Sequence, residues 1–176
     1  MKLSLLPLLF HLNTPNLPTP HESVLADVEL GNGRVETVAV TGCRKKYRKQ
    51  LRETLQYLHD NSFNLPPGDF NRPDFLTEFH EATMQTPIWC FPDENLSQDI
   101  PFAQVFDSNQ DHEWDSVFFT SAHFMTPEDP CTSVFFVAHE LAHIVLQNWR
   151  EAPSQETHQK IYHWGSEVGE YCGASK

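Results

Sequence analysis

A chain of 176 residues with 39% apolar and 20% charged side chains can close one core, which excludes an intrinsically disordered polymer. Its formal net charge of -12 excludes a general nucleic-acid coat and leaves the fold open. Cys43, Cys90, Cys131 and Cys172 form no CxxC pair, which argues against a cysteine zinc site; their wide spacing reads as free buried thiols, with two disulfides as the alternative for an exported chain.

The first stretch, "MKLSLLPLLFHL", has one lysine and a short apolar run, as a signal peptide does. Pro7 interrupts it and no A-x-A pattern follows, so an N-terminal arm of a cytoplasmic protein is expected, with export as the alternative. The run is too short to span a bilayer. "SVLADVELGNGRVETVAV" alternates apolar and polar residues on both sides of Gly31, Asn32 and Gly33, which predicts a hairpin. "CRKKYRKQLRETLQYLHDN" places Tyr47, Leu51, Leu55 and Leu58 at helical spacing. "NLPPGDFNRP" breaks the pattern, and "PDFLTEFHEAT" predicts a short helix with Phe75, Leu76 and Phe79 inward. "PIWCF", "FAQVF" and "SVFFTSA" read as three short strands, and His112, Trp114 and His123 lie around the last of them.

"TPEDPC" is a helix start: Thr126 or Asp129 can cap, and Pro127 or Pro130 fits the first turn. The central helix is expected over residues 131–149 and contains "FVAHELAHIVLQNW". His139 and His143 stand one turn apart, so both imidazoles leave the same face, as two nitrogens on one zinc ion require. Glu140, about 100° further round, can take a proton from a water that zinc has made acidic. The surrounding residues are apolar almost all the way round, and a buried His-Glu-His set without a metal would be costly.

Zinc needs a third protein ligand, and the last helix offers His158, His163, Glu167 and Glu170. On a helical projection Ile161, Val168 and Cys172 centre the apolar face, with Trp164 beside it. Glu167 falls on the flank of that face and Glu170 points more nearly away, so Glu167 is the first candidate and Glu170 the second. Gly165, Gly169 and Gly173 recur every four residues, a stripe that would let this helix approach the central one closely.

HExxH followed by a glutamate on a second helix resembles the gluzincin metallopeptidases. Within them "FVAHELAHIVL" with "SEVGEYCGAS" resembles the ImmA/IrrE family over residues 115–174, and Glu167 then matches the third ligand. The SprT-like proteases are a rival resemblance: they place a third histidine after HExxH at a spacing close to that of His158, with an aromatic four residues later, as Tyr162 is here. SprT-like enzymes act on proteins bound to DNA. Arg44, Lys45, Lys46, Arg48, Lys49 and Arg52 are half of the 12 basic residues and form either a nucleic-acid patch or, the favoured reading, a solvated helix face.

The expectation is therefore one α+β, zincin-like domain over residues 1–176, with an arm and hairpin in 1–40 and a helical and catalytic core in 41–176. Two helices precede a small, mostly antiparallel sheet that packs on the HExxH helix and a C-terminal ligand helix. The expected function is zinc-dependent peptide-bond hydrolysis of a protein or peptide, with Glu140 as base, His139, His143 and Glu167 as ligands, and Tyr162 or His163 at the oxyanion. "SVFFTSA" is the candidate edge for an added substrate strand, and its pattern fits a core strand equally. A non-catalytic module that keeps the metal as a structural element is the alternative outside enzymes.

Overall fold

The computed structural model describes residues 23–29, 35–41, 45–91, 103–107, 113, 115–120, 129–147 and 155–175, and most of these are helical. Period-two alternation forms the hairpin: β1 (Ser23–Glu29) pairs antiparallel with β2 (Val35–Thr41), from Ser23 opposite Thr41 to Glu29 opposite Val35. The turn residues between them lie outside the described residues. Helix α1 (Lys45–Asn61) buries Leu51, Leu55 and Leu58 completely, one turn apart along a single stripe. A 3-10 turn at Ser62–Asn64 ends it, and the Ser62 hydroxyl donates to the carbonyls of Leu58 and His59. Helix α2 (Phe75–Gln85) buries Phe75 and Phe79, with Leu76 half-buried.

The strand segments pair in a way the sequence reading did not anticipate. β3 (Ile88–Phe91), β4 (Ala103–Phe106) and β5 (Ser116–Thr120) join the hairpin in one five-stranded sheet of order β1-β2-β3-β5-β4. β2–β3 and β3–β5 are parallel, whereas β1–β2 and β4–β5 are antiparallel. The sheet is thus mixed rather than mostly antiparallel. Helices α1 and α2 do not precede it; they form the crossover from β2 to β3 that a parallel pair requires. β5, the candidate substrate edge, lies inside the sheet between β3 and β4, so the core-strand reading holds; among the described strands β1 and β4 are the edges.

The HExxH segment is helix α3 (Pro130–Leu146). Asp129 caps it: its carboxylate accepts from the Cys131 N–H at 3.0 Å and from the Thr132 hydroxyl at 2.8 Å, with Pro130 in the first turn. The helix ends at Leu146, earlier than the expected residue 149, because Gln147 turns left-handed at φ 46° and donates its N–H to the His143 carbonyl. Arg72 donates to the carbonyl of Val145 at 2.8 Å and pairs with Glu78 at 2.6 Å, so a cation satisfies the carbonyl end of the helix.

Helix α4 (Gln155–Ala174) completes the described core. The expected cap Ser154 lies outside the described residues. Among the described residues the principal neighbours of α3 are the helices α4, α1 and α2, and its main contacts with the sheet are to β4 and β5. This corrects the expectation that the sheet carries the HExxH helix: eleven residues of α3 are buried, on more faces than one sheet can cover. Gly165 and Gly169 make the close approach of α4 to α3 feasible. A Cβ on Gly165 would sit 3.3 Å from Phe135 and 3.4 Å from the Cβ of His139, and one on Gly169 would sit 3.3 Å from Phe135. Gly173, the third member of the expected stripe, meets nothing within 4 Å and takes no part.

Two further links hold α4. Trp164 lies among Phe70, Phe75 and Phe79, at ring distances of 6.0, 5.0 and 5.1 Å, and its indole N–H donates to the Pro66 carbonyl at 2.7 Å. Cys131 and Cys172 form a disulfide across 41 residues of sequence, with Cα atoms 5.7 Å apart. The expectation of free thiols therefore fails for this pair. In the chain-entropy description a loop of this length removes about 4 kcal/mol of unfolded-state freedom. Among the described residues no helix is long and apolar enough to cross a membrane.

Trp164→Ala is expected to destabilise the protein by about 3–5 kcal/mol, because it empties the aromatic cluster and leaves the Pro66 carbonyl without its donor. Chemical denaturation monitored by circular dichroism measures the loss.

Candidate metal centre

One helical turn separates His139 from His143, and both side chains are buried on α3. Their Nε2 atoms lie 3.2 Å apart, with ring planes inclined at 72°. The third group comes from the start of α4. The exposed His158 ring lies 5.2 Å from that of His139 and 5.4 Å from that of His143, and one nitrogen from each of the three histidines falls within 4.8 Å of the others.

The spacing suits zinc. A tetrahedral centre with bonds of about 2.0–2.1 Å holds neighbouring ligand nitrogens about 3.3 Å apart, close to the 3.2 Å between His139 and His143. The protonation state suits it too. Burial first, then the adjacent His143 and His158 rings, push His139 down to about 3, with the Ile161 backbone opposing weakly. Its ring is therefore neutral across the physiological range, as a metal ligand must be. Its Nδ1 is buried without a hydrogen bond of regular geometry.

Glu140 is buried beside this cluster, and burial pushes its carboxyl up to about 8. An acid and a base have thus both been moved toward their uncharged forms within one apolar helix. A cation placed among the imidazoles would reverse this for Glu140, because a nearby positive charge favours the carboxylate.

Glu167, expected as the third ligand, is not part of the cluster. It is half-exposed and pairs with the exposed His163 at 3.4 Å. The reason is angular. Nine residues separate it from His158, about 900° of helix, which puts it on the opposite side of α4. Glu167, Glu170 and His163 line a groove of about 960 Å³ between α4 and the loop at Pro66 to Asp69, away from α3. The apolar face of α4 is broad: Trp164 is buried toward α2, whereas Gly165, Gly169 and Cys172 face α3, and Glu167 flanks the Trp164 side rather than the α3 side. The signal for His158 was the glycine stripe, since residues 158, 162, 165 and 169 follow one another at steps of three and four.

Tyr162, one turn after His158, is 58% exposed, with its ring 6.1 Å from that of His139 and edge-on to Phe135 at 5.3 Å. Two other histidines are excluded from the centre: His59 and His80 stack on each other at 4.1 Å between α1 and α2. His112, Trp114 and His123 lie outside the described residues. No protein-family model, curated protein or solved structure matches the chain.

The protein is expected to take up about one zinc ion per chain, and His158→Ala is expected to weaken binding by at least the 10–100-fold typical of losing an outer partner, with little effect from Glu167→Ala. Chelator competition on each variant, with helix content checked, measures this; the reverse ranking would return Glu167 to the ligand set.

The metal-free protein carries a pH signature. His139 binds a proton less readily when folded, so its contribution to stability is lost as pH falls below its ordinary 6.5 toward about 3. Glu140 holds its proton more tightly when folded, so stability also falls as pH rises from 4.5 toward about 8. The two slopes cancel between 4.5 and 6.5. Above 6.5, of these two groups only Glu140 still contributes, a loss of about 1.4 kcal/mol per pH unit. Glu140→Gln, which has no proton to lose, is expected to flatten this loss; denaturant titrations of both metal-free proteins at pH 6.5 and 8 compare them.

Proposed function

We propose that the chain is a zinc-dependent metallopeptidase in which His139, His143 and His158 hold the ion and Glu140 is the general base. The observation that carries this reading is the convergence of three imidazole nitrogens beside a buried glutamate on the HExxH helix. Three imidazole ligands would leave a fourth position open, as hydrolytic zinc sites do. Zinc, when bound, supplies Lewis acidity toward the scissile carbonyl and lowers the pKa of a water to about 7. Glu140 accepts a proton from the attacking water at its carboxylate and passes it to the nitrogen of the leaving amine. Tyr162 is exposed with its ring 6.1 Å from that of His139, and its hydroxyl would be the donor to the carbonyl oxygen. An extended substrate adds to the outer edge of β4, the edge strand that contacts α3.

The histidine ligand set favours the SprT-like resemblance over the ImmA/IrrE one, since His158 is the residue that matches the former and Glu167 the latter. A nucleic-acid contact then falls to the basic run at residues 44–52, in which Lys49 pairs with the exposed Glu53. Such binding would weaken steeply with salt through counterion release. The Cys131–Cys172 disulfide supports an oxidising compartment rather than the cytoplasm.

Glu140→Gln decides between an enzyme and a metal-holding module. It is expected to keep zinc and fold while losing hydrolysis of an unfolded protein such as casein by about 10²–10⁴-fold. A variant as active as the native protein would remove Glu140 from the mechanism. Native protein that holds zinc but cleaves neither casein nor a mixed peptide library would favour the non-catalytic module.

A further inference from the structure

The three histidines of the centre come from two helices that are cross-linked at their far end. His139 and His143 belong to α3 and His158 to the first turns of α4, while Cys131 at the start of α3 is bonded to Cys172 at the end of α4. The pair is thus an antiparallel hairpin, closed by the disulfide at one end and by the histidine cluster at the other.

Between the two ends, Gly165 and Gly169 receive Phe135 of α3, and Trp164 ties α4 to Pro66 and to the aromatic residues of α2; the disulfide is the covalent link that fixes the axial register of α4 on α3. Cys172 and His158 are fourteen residues apart, about 21 Å of helix, and a helix transmits an axial slip along its whole length. Zinc sites hold their ligand distances to within about 0.2 Å. A slip of 1 Å at Cys172 therefore carries the His158 nitrogen out of range, whereas His139 and His143, both on α3, keep their spacing. His158 is exposed, so its own packing does little to hold it.

We infer that the Cys131–Cys172 disulfide sets the metal affinity of the His139, His143 and His158 site, so that reducing this bond releases the ion. The inference rests on the reading of the cluster as a metal site. The reductant is a dithiol: it gives two electrons and two protons to the sulfurs of Cys131 and Cys172, the S–S bond between them breaks, two thiols form, and the dithiol closes to its own disulfide. Coupling of this kind is reciprocal, so the ion makes the bond harder to reduce by the same factor by which the bond tightens the ion.

The test compares zinc affinity, by competition with a chromogenic chelator, in the oxidised native protein and in the double variant Cys131→Ser, Cys172→Ser. Binding at least about tenfold weaker in the variant is expected. Should the double variant fail to fold, the native protein decides. The reduction midpoint of its Cys131–Cys172 bond, read by alkylation trapping across a dithiol redox series at a fixed free zinc concentration, is expected to lie about 30 mV lower for each tenfold of coupling than in His158→Ala under the same conditions. Equal zinc affinities in native protein and folded double variant, or equal midpoints, would overturn the inference and leave the metal site standing. Oxidised native protein that takes up no zinc would overturn both.

Discussion

The close approach of α4 to α3 across Gly165 and Gly169 is the contact on which the rest depends. Even a methyl at 165 would lie 3.3 Å from the Phe135 ring and 3.4 Å from the Cβ of His139, so the ring would have to yield by a few tenths of an ångström. The same approach brings His158 within reach of the HExxH histidines, seats Trp164 under Pro66 and brings Cys172 to Cys131. The glycines weaken an isolated helix by roughly 1 kcal/mol each. Trp164, buried to 2% exposure, and the fully buried Ile161 and Val168 offset that by tertiary burial.

The central helix was legible because several local signals agree over one stretch. An aspartate cap, a proline in the first turn and an apolar pattern place its start, and the HExxH spacing places two imidazoles on one face. Its end was overestimated because Gln147, not a glycine, takes the left-handed turn. The strands were also found, but not their arrangement. Period two says that a segment is a strand and nothing about its partners; the parallel pairing of β2 with β3 depends on the crossover through α1 and α2.

His158 stood among the four candidates for a third ligand, as the rival to Glu167, and was ranked below it for a different reason. A helical projection assumes one buried face, and α4 has two. One carries Trp164 and packs toward α2; the other, with Gly165, Gly169 and Cys172, packs on α3, and a hydrophobicity pattern gives glycines no weight there. The disulfide escaped for the same reason, since Cys131 and Cys172 are 41 residues apart and only the packing of α3 on α4 joins them. What sequence did convey about the centre is the pair on one helix, where chemistry and local geometry coincide.

The seam between the hairpin and the other strands has a consequence for how the chain folds. β2 meets β3 through two paired residues, Val40 with Ile88 and Thr41 with Trp89, across the whole of α1 and α2. A long loop must close before so short a ladder returns any free energy. The hairpin β1–β2 and the helices can each form from nearer neighbours. The parallel seam therefore forms late in folding, and with the packing of β1 on α1 and of β2 on α2 it is what joins the hairpin to the rest. Amide protons in that short ladder would exchange through local opening well before those at the centre of α3.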